Sequence, residues 1–277
     1  MSIWQTTRFR IDLSAPRVMA IVNLTPDSFS DGGATADSRA ALALCERLVR
    51  DGADLLDLGG ESSRPGAAPV PAAVELARVL PVLHGALTLG VPVSVDTCKA
   101  EVMREALALG ADIVNDIRAL RAPGALDVVA AHASCGVCLM HMQGEPRSMQ
   151  ASPAYIDLLP EVSTFLAERS AALVSRGVAA ERIVLDPGIG FGKRVQDNLA
   201  LLARQRELLA LGRPLLVGWS RKSTIGELTG RRVQERLAGS LAAALAAVQH
   251  GARIVRVHDV AATVDALRVW HAAGLGG

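Results

Sequence analysis

Eight short runs rich in Val, Ile and Leu recur down the chain, each followed by a longer stretch with helical spacing. They are RVMAIVNL (17–24), DLLDLGG (54–60), VPVSVDT (91–97), DIVNDI (112–117), VCLMHM (137–142), RIVLDP (182–187), PLLVGW (214–219) and RIVRVH (253–258). Near-continuous apolar runs of this length are the pattern of parallel strands covered on both faces. The stretches between them are amphipathic. In one, Ala41, Leu44, Cys45 and Leu48 share a helical face and Gly52 follows as a stop; Gly110 and Gly251 close later helices in the same way. Eight strand–helix units in about 250 residues predict an α/β fold, a (β/α)8 TIM barrel. A doubly wound open sheet would carry a dinucleotide fingerprint after its first strand, and none is present. No linker or composition shift divides the chain, so residues 1–277 are expected to form a single domain. The residues before Arg17 are a short N-terminal extension, expected to fold as a hairpin over the barrel's bottom.

Composition narrows the function classes. Half of the residues are hydrophobic, enough for a sizeable core, while a net charge of +1 gives no electrostatic case for nucleic acid or an anionic membrane. Aromatics at 3% argue against a base-stacking surface. The opening MSIWQTTRFRIDLS has no apolar signal-peptide core, and the expected compartment is the cytoplasm. The longest apolar stretch, LAGSLAAALAAVQ from Leu237 to Gln249, is too short for a membrane span. It reads as a buried or subunit-interface helix, and its small side chains suggest a homodimer. Cys135 and Cys138 form a C-x-x-C with His132 and His141 nearby. Cys138 lies inside an apolar run whose side chains alternate faces, so the four do not converge as zinc ligands would. They are expected to be small core side chains.

A barrel demands that its active site lie at the carboxyl ends of the strands. Those ends read Asn23, Glu61, Asp96, Asn115 with Asp116, His141, Asp186, Ser220 with Lys222, and Arg256 with His258. Each alone is an ordinary turn or cap residue. A polar group at every one of the eight ends is not ordinary. Of 29 basic residues only Lys99, Lys193 and Lys222 are lysine, and two of these fall in strand-end loops. DPGIGFGK (186–193) resembles a phosphate cradle, but its spacing is wrong, no Lys-Ser or Lys-Thr follows, and Asp186 stands where an anion would go. An acid there suits a ligand offering N–H donors. Asp96, Asn115 and Asp186 together match the amino and ring N–H edge of a guanine-like or pterin-like heterocycle. Arg256 and His258, with Arg64 from the second loop, form a basic end suited to phosphate. Ser220, Lys222 and Ser223 stand at the start of a short helix, which favours a further anion such as a carboxylate.

The motifs NLTPDSFSDGG (23–33), DLGGESSRPG (57–66), SVDT (94–97), NDI (115–117), MHMQG (140–144), DPGIGFGK (186–193), GWSRKSTIG (218–226) and RVHDV (256–260) resemble, in order, those of the dihydropteroate synthase family. These are pterin-binding TIM-barrel transferases of folate biosynthesis and the sulfonamide target. The resemblance runs from about residue 17 to the end. It implies condensation of 6-hydroxymethyl-7,8-dihydropterin diphosphate with 4-aminobenzoate, releasing diphosphate. It also implies that Asp96, Asn115, Asp186 and Lys222 hold the pterin. Asn23 would help bind Mg²⁺ on the diphosphate, with Ser63, Arg256 and His258 around the phosphates. Ser223 and the turn from Ser220 to Lys222 would receive the aminobenzoate carboxylate, and Phe29, Arg64, Pro65 and Phe191 would line its ring. The family commonly has Ser-Thr-Arg-Pro-Gly where this chain has Ser62-Ser63-Arg64-Pro65-Gly66.

No Ser–His or Cys–His nucleophile appears among the strand-end residues, so the expected chemistry is dissociative, with Lys222, Asp186, Asp96, Arg256 and His258 as its catalytic groups. Alternatives are a methyltetrahydrofolate methyltransferase-like barrel, which has no use for SRKS, and a catalytically idle pterin-binding paralogue. A Schiff-base aldolase using Lys222 fits the acidic ring poorly.

Overall fold

The computed structural model describes residues 3–25, 33–62, 66–145 and 147–275, with backbone only for 33–37. Two short strands, β1 (Ile3–Gln5) and β2 (Arg10–Asp12), pair antiparallel as a hairpin. The barrel strands follow as β3 (Arg17–Asn23), β4 (Leu55–Gly59), β5 (Val93–Asp96), β6 (Ile113–Asp116), β7 (Gly136–Met140), β8 (Ile183–Asp186), β9 (Leu215–Val217) and β10 (Ala252–Val257). They pair in parallel and in chain order, and β10 returns to β3 to close the cylinder. Around it run α1 (Gly33–Arg50), α2 (Ala72–Ala86), α3 (Ala100–Leu109), α4 (Ala125–Ala131), α5 (Leu158–Val174), α6 (Val195–Ala203), α7 (Ser223–Thr229), α8 (Leu237–Gln249) and α9 (Val260–Ala272). Each strand lies within two residues of its sequence-predicted run, apart from the trimmed ends. The fold is the expected (β/α)8 barrel.

Side-chain alternation divides the strands between two cores. Leu56, Leu58, Val95, Val114, Leu139, Leu185 and Val255 face outward and are covered by helix residues such as Leu83, Met103, Leu166 and Leu201. Met19, Leu55, Ile113, Cys138, Val184, Leu216 and Ile254 face inward and form an apolar floor with Trp4 and Ile11 of the hairpin. Helices stop where the pattern predicts: Gly110 takes the left-handed conformation at φ 113°, and its N–H caps carbonyls of the last turn of α3.

The hairpin seals the bottom as expected. Trp4 is fully buried and its indole N–H donates to the Arg182 carbonyl at 2.9 Å. Arg8 grips Asp112, at the amino end of β6, through Nη2 at 2.6 Å and Nε at 3.0 Å. Cys138 belongs to the floor, while Cys135 packs outside it with its Sγ 3.2 Å from Arg182 Nη2. The two thiols therefore sit in separate environments, and burial pushes both pKa values up.

Candidate active site

Two residues beyond the floor, the inward positions change character. Asp57, Asn115, Asp186 and Arg256 replace Leu55, Ile113, Val184 and Ile254 on the same faces of β4, β6, β8 and β10. Asp57 is fully buried. Its Oδ2 accepts from Arg256 Nε at 2.6 Å and from Asn115 Nδ2 at 3.0 Å. Arg256 Nη2 donates to Asp96 Oδ2 at 2.8 Å. One guanidinium thus ties two carboxylates together across the lumen. Burial alone would lower the Arg256 pKa, but Asp57 and Asp96 outweigh it and hold the charge firmly. The sequence-drawn division into an acidic and a basic end therefore does not describe Arg256, which stands among the acids. Asp57 lies in the middle of β4 (Leu55–Gly59), so it is not among the strand-end residues that the sequence marks out. Its signal was parity: an acid two residues after Leu55 and two before Gly59 must face inward.

The next layer holds Asn23, Gly59 and Asp96, which are register partners across β3, β4 and β5. Gly59 puts no side chain between Asn23 and Asp96, so that part of the mouth is open. Burial, reinforced by Asp57, Asp116 and Glu75 and opposed by Arg256, raises the Asp96 carboxyl to about 7. Asp186 is buried and accepts the Gly188 N–H at 2.7 Å. Burial raises its pKa against that hydrogen bond and against Lys222, Arg256 and Lys193. Beside these acids, Ile117, Met140, Met142 and Met149 form an apolar cluster with Phe191 and Cys98 packed against it. Polarizable thioethers next to hydrogen-bonding acids suit the face and edge of a flat heterocycle.

The glycines of DPGIGFGK answer to the backbone. Gly188 adopts φ 70°, and a Cβ there would lie 1.9 Å from the His141 carbonyl oxygen; at Gly192, φ 61°, it would lie 2.3 Å from that of Gln143. Only glycine lets this loop settle so closely on the turn after β7. Lys193 is buried beneath the loop, its Nζ 3.0 Å from the Gly188 carbonyl, 3.1 Å from that of Phe191 and 2.9 Å from His141 Nδ1.

Against this same loop, the Lys222 ammonium lies over the Phe191 ring, 4.2 Å from its centroid. Burial lowers Lys222 to about 8, Arg256 pushing the same way while Asp186 and Asp96 resist. Ser220 Oγ accepts the His258 N–H at 3.1 Å and lies 3.0 Å from His258 Nδ1. Arg221, at φ 59°, is held by a two-point ion pair with Asp259 and by the Ser240 hydroxyl on its N–H. This turn sets Ser223, exposed, at the start of α7.

Three expected rim residues are used elsewhere. Glu61 pairs with Lys99, which also contacts buried Glu75 at 2.5 Å. Asp116 faces out of the lumen and accepts the N–H groups of Arg118 and Leu120 at 2.7 and 2.8 Å, bracing the left-handed pair Ala119 and Leu120. His141 is buried edge-on to Phe165, centroids 5.0 Å apart, and burial with the Lys193 charge lowers its pKa to about 2. Phe29, Ser63, Arg64 and Pro65 lie outside the described residues.

A barrel whose carboxyl-end lumen presents three aspartates, two asparagines and two cations beside a methionine-rich wall is built to take a polar, N–H-bearing ring. The chain belongs to the pterin-binding enzyme family, whose sequence model matches residues 19–258. More particularly, it is 54% identical to the dihydropteroate synthase of Neisseria meningitidis serogroup B over 99% of this chain and 98% of that one. Solved structures agree. The Xanthomonas albilineans dihydropteroate synthase with 4-aminobenzoic acid is 53% identical, with a TM-score of 0.90 over 96% of this chain and 95% of that one. The Burkholderia cenocepacia dihydropteroate synthase complexed with 7,8-dihydropteroate is 51% identical, with a TM-score of 0.90 over 99% and 96% of the two chains.

Proposed function

We infer that this chain is a transferase that joins 4-aminobenzoate to 6-hydroxymethyl-7,8-dihydropterin diphosphate, giving 7,8-dihydropteroate and diphosphate. The observation that carries this reading is the Asp57–Arg256–Asp96 chain of ion pairs with Asn115 and Asp186 in one lumen, in a chain so similar to proteins that hold the product and one substrate. In the reaction the bond between the pterin methylene carbon and the bridging diphosphate oxygen breaks. A bond to the aromatic amine nitrogen forms, and that nitrogen gives up one proton.

Each residue's part follows from its chemistry. Asp186 and Asn115 meet the amino and ring N–H edge of the pterin, and the Lys222 ammonium meets its carbonyl side. The Met140 and Met142 wall takes one ring face. Arg256, held in place by two carboxylates, and His258 supply positive charge where the diphosphate departs. Ser223 and the N–H groups at the start of the turn receive the aminobenzoate carboxylate, with Phe191 against its ring.

Mg²⁺ fits this site as a companion of the substrate. Among the described residues no three His, Cys, Asp or Glu side chains converge as a metal cage. The Asn23 amide oxygen, beside the open space at Gly59, is a hard donor suited to an ion held mainly by phosphate and water. Bound there, Mg²⁺ would add positive charge to the leaving diphosphate.

Among the described residues a strand-end serine does meet an imidazole, contrary to the sequence expectation: Ser220 Oγ lies 3.0 Å from His258 Nδ1. That hydroxyl is buried and already accepts the His258 N–H, so it serves the turn rather than covalent catalysis. An aromatic amine is in any case already neutral near pH 7. The order proposed is therefore dissociative: the C–O bond breaks first, and Asp96 and Asp186 stabilise the pterin cation until the amine arrives. The same reading places the protein in the cytoplasm and makes it a homodimer through the outer face of α8, where Leu237, Ala238 and Ala242 are exposed. No helix among the described residues is long and apolar enough to cross a membrane.

The deciding experiment is diphosphate release from the two purified substrates. Sustained release should need both and should fall in excess EDTA. Release without 4-aminobenzoate at the same steady rate would mean a hydrolase. Bridging ¹⁸O that fails to scramble in the presence of a non-nucleophilic aminobenzoate analogue would replace the dissociative order by direct displacement. Light scattering at micromolar concentration decides the dimer.

A further inference from the structure

Lys193 has no part in the reaction as derived above, yet it is the most enclosed of the ammonium groups near the mouth, 3% exposed. Besides the Gly188 and Phe191 carbonyls and His141 Nδ1, its Nζ lies 3.3 Å from the His141 carbonyl. An ammonium has three N–H donors and no acceptor, so the imidazole faces it with a lone pair. These partners come from two separate segments, the turn after β7 and the loop after β8. They are the segments that Gly188 brings into close contact. Tyr155 adds a second stitch, its hydroxyl donating to the Gly192 carbonyl at 2.7 Å. The loop so fastened begins with Asp186 and carries Phe191 under Lys222.

We propose that Lys193 is a positioning residue for the pterin: its buried ammonium clamps the loop after β8 onto the turn after β7 and so fixes Asp186 and Phe191 in the mouth. This rests on the pterin reading given above. Carbonyls turned toward one another repel, and a central cation with fixed N–H directions holds them where an apolar side chain of equal length would not. The charge itself is kept under tension. Burial and the Lys222 charge bring Lys193 down to about 7, with Asp186 and Asp197 resisting.

The stem of Lys193 borders an open groove shared with Gln150, Ser152, Arg194, Ser223 and Glu227, which gives a small amine a way in. The test is calorimetric titration of 6-hydroxymethylpterin, which has no leaving group, into wild type, Lys193→Met and Lys193→Ala. Lys193→Met keeps the stem's packing and removes the charge. Both variants should bind the pterin about tenfold or more weakly, as the loss of a buried charged hydrogen-bond set requires. Propylammonium should restore most of the affinity of Lys193→Ala, and n-propanol should restore none. Pterin affinity of Lys193→Met within about twofold of wild type, or equal rescue by the alcohol, would show a space-filling role and overturn the proposal. Where Lys193→Ala does not fold, the Lys193→Met titration decides alone. Failure of the wild type to bind pterin would instead bring down the reading beneath it.

Discussion

The floor and the mouth of the lumen are made by the same strands, two residues apart. Leu55, Ile113, Val184 and Ile254 meet Trp4 in a dry plug, whereas Asp57, Asn115, Asp186 and Arg256 form a hydrogen-bonded charge cluster. Nothing in the backbone separates the two regions. The difference lies in what each side chain leaves unfinished. The floor's apolar groups are complete once packed. In the mouth, Asp57 Oδ1 and Ser94 Oγ are buried without a hydrogen-bond partner among the described residues. Polar atoms left so cost stability, and a region that tolerates them is kept for a ligand or ordered water. Stability and chemistry are thus divided along the strand axis rather than between strands.

The division can be broken most severely at Arg256. Arg256→Met leaves Asp57 and Asp96 facing each other without their cation, and removes a donor from the departing diphosphate. Turnover should fall by about 10²–10³-fold in a diphosphate-release assay. If turnover stays within a few-fold, the guanidinium serves packing alone. Trp4→Ala attacks the other region. It should cost about 3–5 kcal/mol in denaturant unfolding yet leave kcat/KM within about twofold at temperatures where the variant remains folded. A large kinetic loss there would show that floor and mouth are coupled.

The third prediction sharpens the electrostatic half of the contrast. Asp96 loses its proton near 7 and Lys222 near 8. Pterin binding, which needs the carboxylate and the ammonium together, should therefore strengthen as pH rises through 7 and weaken above 8. Calorimetry from pH 6 to 9 tests this, and Asp96→Asn should erase the acid limb. Stability runs the opposite way. Between about 4 and 7 the folded chain keeps a proton on Asp96 that the unfolded chain releases, so this group's contribution falls as pH rises through that window. In the floor, burial raises only the Cys138 thiol in the same sense, and its effect begins well above this window, at alkaline pH. Ser94→Ala is the mildest case: deleting a buried hydroxyl without a partner should change stability by no more than about 1 kcal/mol, with either sign allowed except a larger loss.

The barrel was legible in the sequence because both faces of its strands are covered, so each strand is a plain apolar run ending in a polar residue. The predicted run 112–117 and the observed β6 (Ile113–Asp116) show how little the boundaries moved. The site was legible only in part, since position at a strand end says nothing about facing. Asn115 and Asp116 are neighbours, yet one enters the lumen and the other caps a turn outside it. Counting parity from the floor would have recovered Asp57 and set Asp116 aside. Lys193 and His141 lay beyond that device as well. Their pairing depends on how two glycine-bearing turns stack, which no spacing within either turn records.

The indole bond that closes the floor also sets a timetable. Trp4 and the carbonyl of Arg182 are 178 residues apart in the chain. At a synthesis rate of about 5–20 residues per second, the hairpin waits roughly 9–36 seconds before its acceptor exists. Until then the ring lacks its acceptor and the Val184, Leu216 and Ile254 part of the floor, and contacts this distant in sequence form slowly even when both partners are present. The hairpin is therefore made long before it can be fully seated, and the growing chain carries its own stopper, unused, until synthesis has passed Arg182.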